Sequence, residues 1–207
     1  MIEMIDNKET LNFFPQPVFK YKVDNFKEYN EKLSKYIYEL NKEDKDGILR
    51  SNRGGWHSKP FNLKDTNSIQ HKFLLETTKY VFDTIKTLGW KLEPNKVICT
   101  EMWAIINKKD DFNTIHTHPN SYLSAAYYVK APKDCGQFTI ENPHSISRHS
   151  YPALEKKTEF NLKVERIEIE EGDLLLFPAY LPHGVQENKS DEDRIVISFN
   201  ININNFK

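Results

Sequence analysis

The stretch Glu171-Gly172-Asp173-Leu174-Leu175-Leu176-Phe177-Pro178-Ala179-Tyr180-Leu181-Pro182-His183-Gly184-Val185 decides the fold class. A turn at Glu171-Gly172 leads into an apolar strand over Asp173 to Phe177, and the chain then delivers His183 at the strand's end. Runs of the same kind surround it: Val97 to Asn107, Leu123 to Val129, Gly136 to Glu141, Phe160 to Ile169 and Arg194 to Ile203. All are rich in β-branched and aromatic residues. Turn-formers such as Lys108-Lys109-Asp110-Asp111 and Pro132-Lys133-Asp134-Cys135-Gly136 separate them. Short strands at this spacing indicate an antiparallel sandwich or barrel, so the chain reads as mainly β.

Upstream of Leu92 the period changes. Phe26, Tyr29, Leu33, Tyr36/Ile37 and Leu40 recur every three or four residues, the mark of an amphipathic helix, with Asp24 available as N-cap. A second helical pattern follows Thr66, through Ile69, Phe73, Leu74, Val81, Ile85 and Leu88, and Gly89 closes it. Between the two, Ser51-Asn52-Arg53-Gly54-Gly55-Trp56-His57-Ser58 reads as a loop, because paired glycines break regular structure. The expectation is one domain over 1–207, with a helical elaboration over 1–92 covering one sheet of a β core over 93–207.

Composition narrows the function classes. Mean hydropathy is -0.68, yet aromatics make up 13% of the 207 residues, enough large rings to build a core. Lys+Arg 29 against Asp+Glu 30 leaves a net charge of -1, without the basic excess of a dedicated nucleic-acid binder. Two cysteines, Cys99 and Cys135, are too few for a disulfide scaffold and point to a reducing compartment. No apolar run approaches a membrane span, and Glu3 and Asp6 stand where a signal peptide needs bases. The expected location is therefore intracellular, in the cytoplasm. A homodimer is left open.

Of seven histidines, the informative ones are His116 and His118, in His116-Thr117-His118, and the distant His183. Residues i and i+2 of a strand share a face, so His116 and His118 can reach one point. Imidazole suits iron, zinc, copper and nickel alike, so a same-face pair with a third histidine points to a metal. A chance His-x-His pair on the surface is the competing reading. Farther on, Arg194, Val196 and Ser198 share a strand face. A guanidinium inside a β core needs an anion, since a buried unpaired charge is too costly, and an internal Asp or Glu would serve as well as a ligand.

Taken together these residues resemble a known family. The stretches His116-Thr117-His118-Pro119-Asn120-Ser121, Leu123-Ser124-Ala125-Ala126-Tyr127-Tyr128-Val129, Leu174 to Pro178 with His183, and Arg194-Ile195-Val196-Ile197-Ser198-Phe199-Asn200 are similar to the iron(II)- and 2-oxoglutarate-dependent oxygenases. More narrowly they resemble a group of such oxygenases from marine bacteria and their phages, as do Phe13-Phe14-Pro15 and Gly54-Gly55-Trp56-His57-Ser58. If phage-encoded, the chain would work in the host cytoplasm. The resemblance implies a double-stranded β-helix, or jelly roll, and oxidation of a substrate coupled to conversion of 2-oxoglutarate and O2 into succinate and CO2. It implies Fe(II) held by His116 and His183, and the 2-oxoglutarate C5 carboxylate held by Arg194, Ser198 and Tyr128.

One position departs from the family pattern. The second metal ligand is ordinarily a carboxylate, and here it is His118. Three readings stand: a three-histidine site, a His118 that swings away in favour of water, or a shifted pair of His118 and Asn120. The first ranks highest. The rival function is a non-catalytic or cupin-like metal-binding jelly roll that makes no use of 2-oxoglutarate. No stretch names a substrate. His71 reads as a helix-surface residue, His144 and His149 as parts of a solvated loop, Cys99 as core and Cys135 as a turn residue. Trp56 and His57 read equally as a lid or a packed corner.

Overall fold

The computed structural model of the chain describes residues 9–144 and 152–204. Two antiparallel sheets face each other. The larger contains β1 (Phe19–Lys22), β3 (Trp56–His57), β4 (Val97–Asn107), β6 (Leu123–Lys130), β9 (Asp173–Pro178) and β11 (Arg194–Ile203), in the order β1-β9-β6-β11-β4-β3. The smaller contains β2 (Asn52–Arg53), β5 (Phe112–His116), β7 (Phe138–Glu141), β8 (Val164–Ile167) and β10 (His183–Val185), in the order β2-β5-β10-β7-β8. The fold is mainly β, as the strand pattern implied, and a jelly-roll arrangement, as the resemblance implied.

Alternation along the strands of the large sheet creates two apolar layers. Tyr127, Leu174, Leu176, Ile195, Ile197 and Phe199 point outward, into a core shared with α1 (Phe26–Glu43) and α2 (Ile69–Thr87). Leu33 and Ile37 of α1, with Phe73, Val81 and Ile85 of α2, are buried there. Each contributes roughly 1.5–3 kcal/mol by leaving water. The Phe73 and Tyr127 rings lie 4.5 Å apart, and the Tyr127 hydroxyl donates to Asn30 Oδ1 on α1. Tyr128, Ala126, Leu175, Phe177 and Val196 point the other way, between the sheets.

The local signals differ from the sequence reading in four places. Asn25, in the left-handed conformation at φ 51°, precedes α1, while Asp24 pairs with Lys79 of α2 at 2.7 Å. Ser68 caps α2, accepting from the His71 N–H. At the other end Gly89 (φ 70°) donates to Lys86 O and Trp90 to Ile85 O, the pair of bonds that satisfies a helix's last carbonyls. The strand expected over Phe160 to Ile169 forms only at Val164–Ile167.

The fourth difference is the glycine loop. Asn52–Arg53 pairs with β5 of the small sheet, and Trp56–His57 pairs with β4 of the large one. Gly54 and Gly55 carry the chain between the sheets with φ of 64° and 63°. A Cβ on Gly54 would collide with the Asp111 carboxylate, and one on Gly55 would sit 2.7 Å from Ile106 O. The same glycines that suggested a loop make the crossing feasible.

Candidate metal centre and its cavity

Strand parity determines which side chains meet between the sheets. On β4, Glu101, Trp103, Ile105 and Asn107 face inward, and their register partners on β11 are Asn200, Ser198, Val196 and Arg194. Across β11, Val196 and Ser198 pair with Tyr128 and Ala126 of β6. At the sheet edge β3 sets His57 beside Ile105 on this inner face and Trp56 beside Ile106 on the outer one. A cavity of about 520 Å³ opens over this wall, closed opposite by residues of the small sheet.

That opposite wall carries the histidines. His116 ends β5, His183 begins β10, and the two are register partners. Their ring centroids are 4.4 Å apart, and His118 Nε2 lies 3.2 Å from His183 Nε2. One nitrogen from each of His116, His118 and His183 falls within 4.8 Å of the others. His116 Nδ1 donates to Thr114 O and His183 Nδ1 to Leu181 O, each at 2.8 Å. Those bonds place the proton on Nδ1 and leave the Nε2 lone pairs directed at one another. Burial lowers the pKa of all three, that of His118 to about 4, so the rings are neutral at pH 7, as metal ligands must be. Such a cluster can hold a divalent cation.

The same-face argument for His116 and His118 needs a correction in detail. The strand stops at His116, and His118 lies beyond it, held by donation of its backbone N–H to Ala179 O at 2.9 Å. Its ring still returns to the cluster and stacks on Trp103. Asn120 sits exposed in a turn at φ 68° and does not line the cavity.

Arg194 lies one same-face step deeper than Val196 and is fully buried. No carboxylate forms an ion pair with it among the described residues, so it is not paired to an internal Asp or Glu. Its Nη1 donates to Cys135 O and to Gln186 O, and its Nη2 to Asn107 Oδ1, all neutral oxygens. Its Nε has no partner, and neither does the Tyr128 hydroxyl, which is equally buried. Burial raises the pKa of that phenol, partly offset by the charge of Arg194. Ser198 lines the cavity. A buried cation just behind the cavity lining and the buried hydroxyl of Tyr128, a lining residue, are both short of a partner and fit an incoming carboxylate.

Sequence reading did not place His57 or Trp103 in the cavity lining. His57 is 6% exposed and lies parallel to Trp103 at 5.7 Å, and Trp103 lies against His118 at 5.8 Å. Trp56, by contrast, is a core residue whose indole donates to Asp44 O. Trp103 could have been found from the inward parity of β4; His57 could not, because its strand is two residues long. Among the other positions, His71 is tied to Leu63 O through Nδ1, His144 is exposed, and His149 lies outside the described residues. Cys99 is half-buried against the helical core, and Cys135 is a buried turn residue.

Known proteins bear on this geometry. The chain's fold is similar to a prolyl-4-hydroxylase of Pseudomonas putida, at 14% identity, 91% coverage of this chain, 93% of that one and a TM-score of 0.64. It is also similar to HygX of Streptomyces hygroscopicus with nickel and 2-oxoglutarate bound, at 14% identity, coverage of 93% and 85%, and a TM-score of 0.62. A third is a viral collagen prolyl hydroxylase of Paramecium Bursaria Chlorella virus-1 in complex with 2-oxoglutarate, at 12% identity, coverage of 89% and 94%, and a TM-score of 0.58. No curated protein sequence matches the chain. No helix among the described residues is long and apolar enough to cross a membrane. Residues 101–200, which span β4 to β11 and hold all three clustered histidines with Arg194, match the family described as "Putative 2OG-Fe(II) oxygenase".

Proposed function

We propose that this chain is an Fe(II)- and 2-oxoglutarate-dependent dioxygenase, a hydroxylase in the broad sense, with iron on His116, His118 and His183. In this reading the 2-oxoglutarate C5 carboxylate is held by Arg194 and Tyr128, with Ser198 beside them. One observation carries it. Arg194 is a fully buried guanidinium with no carboxylate partner, and its Nε and the nearby Tyr128 Oη are both unsatisfied. The three oxygens that accept from Arg194 are neutral and leave its charge uncompensated, which a dicarboxylate ligand would correct.

When bound, iron and 2-oxoglutarate supply the oxidising chemistry, with O2 consumed and succinate and CO2 formed. The protein's own contribution is orientation and exclusion of water. The Thr114 and Leu181 carbonyls hold His116 and His183 in the tautomer that presents Nε2. Phe177 and Phe138 pack against the His183 ring at 4.5 and 5.5 Å and keep that side of the centre dry. Carbonyls of Cys135 and Gln186 aim the Arg194 fork without neutralising its charge. His118 in place of a carboxylate leaves the three-ligand set uncharged, so a bound divalent cation would keep its full charge.

Succinate formation from 2-oxoglutarate with Fe(II) and O2, even without a second substrate, tests the reading. Iron binding without any succinate and without 2-oxoglutarate affinity would favour the non-catalytic jelly roll.

A further inference from the structure

The cavity is lined by two further polar side chains, His57 and Arg50, that have no side-chain partner among the described residues for their cavity-facing chemistry. His57 Nδ1 is 2.7 Å from Ser58 O and donates to it, which fixes the tautomer and leaves Nε2 as an acceptor only. That nitrogen has no partner among the described residues. His57 lines the cavity, so this acceptor is available to a molecule bound there. The backbone around it is fixed. Ile48 donates to His57 O at 2.9 Å, Ser58 donates to Ala104 O at 2.9 Å, and Ala104 donates to Ser58 Oγ at 2.9 Å.

Arg50 lines the same cavity, is exposed, and forms no ion pair or side-chain hydrogen bond among the described residues. Arg50 stands two residues beyond Ile48, whose N–H bonds to His57 O, and Ile48, Arg50 and His57 all line this cavity. The Arg50 charge adds to burial in holding that imidazole neutral. A free guanidinium selects an anion and matches the geometry of a carboxylate. An acceptor-only imidazole selects an O–H or N–H. The two side by side select both on one molecule.

We infer that Arg50 and His57 form the substrate subsite, and that it takes a small carboxylic acid carrying a hydrogen-bond donor beside the carboxylate, an α-hydroxy or α-amino acid. This deepens the oxygenase reading, on which the fate of the bound molecule rests. The carboxylate meets Arg50, the adjacent O–H or N–H meets His57 Nε2, and the remainder of the molecule lies in the cavity with the histidine cluster. A cavity of about 520 Å³ is of the size that holds small molecules, with room for one such acid beside 2-oxoglutarate. The deep subsite shares this cavity, since Tyr128 and Ser198 line it too, while Arg194 lies behind the lining.

Calorimetric titration of the full chain, loaded with Fe(II) and 2-oxoglutarate under nitrogen, tests the subsite. The probes are the L-amino acids, their 2-hydroxy counterparts, and the same acids lacking the α substituent, such as 4-methylpentanoate beside leucine. The expected result is a binder among the first two sets that weakens on the order of tenfold or more when its α donor is removed. Arg50→Ala and His57→Phe should each give a comparable loss, whereas His57→Gln, whose amide oxygen can accept, should recover part of it. Arg50 is exposed, so Arg50→Ala keeps the test usable if His57→Phe fails to fold.

The inference falls if no member of the first two sets binds, if inorganic phosphate binds more tightly than every acid, or if the best acid is indifferent to both substitutions. Succinate release by the wild type, measured on the same preparation in air, separates the two claims. Acid binding without succinate sinks the oxygenase and spares the subsite, and succinate without acid binding does the reverse.

Discussion

His116 and His183 are register partners across the smaller sheet, their rings 4.4 Å apart, so the two histidines farthest apart in the proposed ligand set are joined by a single ladder rung. That rung brings the two ligands together, and the bonds from their Nδ1 atoms to the Thr114 and Leu181 carbonyls orient the rings. His118 is held differently, by one backbone hydrogen bond to Ala179 O and by its stack on Trp103. The centre thus has two rigid ligands and one on a short tether.

The tether makes His118 the informative substitution. Iron content per chain after dialysis should fall in His118→Ala, with imidazole–metal bonds of about 2.0–2.2 Å lost from one of three positions. His118→Asp should retain iron better than alanine does, because the carboxylate offsets cationic charge, although its shorter side chain must reach from the same backbone. Equal retention in wild type, His118→Ala and His118→Asp would remove His118 from the ligand set.

Burial lowers the pKa of His57, His116, His118 and His183 below the ordinary value, with His118 at about 4. An unfolded chain therefore takes up protons near pH 6.5 that the folded chain refuses. Stability rises with pH wherever the unfolded state binds more protons, so this contribution is complete above pH 6.5 and drains away as pH falls toward 4. The metal-free protein should lose melting temperature between pH 7.5 and 5, and Fe(II) should shift the curve upward by binding only the folded, deprotonated site. A melting temperature flat across that interval would contradict the burial of these rings.

Most of the fold was legible because its signals are local. The limits of β4 and β11 could be read from β-branched runs, and the end of α2 from Gly89. Two-residue strands such as Trp56–His57 carry no periodicity, so the edge of the large sheet was invisible, and with it the position of His57. The histidine cluster was legible from spacing and resemblance. The bonding of Arg194 was not: its partners Cys135 O, Gln186 O and Asn107 Oδ1 come from three separate segments, and backbone carbonyls leave no trace in side-chain identity.

Gly55→Ala should show how far the site depends on the crossing between sheets. The residue has φ 63°, and a Cβ would press on Ile106 O at 2.7 Å. A side chain at a strained positive φ costs on the order of 1–3 kcal/mol. His57 is two residues away on the strand that this turn positions, so the expected outcome is a lower denaturation midpoint together with displaced His57 resonances in the NMR spectrum. An unchanged midpoint would mean that the glycine conformation is not required.

Tyr128 offers the cleanest test of the deep carboxylate subsite, because Arg194 has a structural role as well. Arg194→Ala strands three oxygens that now accept from it, so lost stability and lost 2-oxoglutarate affinity would arrive together. The Tyr128 hydroxyl, in contrast, is buried with no protein partner. An unsatisfied buried hydroxyl costs about 1–3 kcal/mol, so Tyr128→Phe should leave the protein as stable as wild type or more so. If the hydroxyl serves a ligand carboxylate, the same substitution should weaken 2-oxoglutarate binding to the iron-loaded protein by roughly tenfold, while iron affinity stays put. Arg194→Lys should then weaken 2-oxoglutarate further, since a point charge cannot reproduce the fork. If Arg194 is only a clamp on the neighbouring carbonyls, Tyr128→Phe should leave 2-oxoglutarate affinity untouched. Stability and affinity moving in opposite directions in Tyr128→Phe is the result that a purely structural role cannot give.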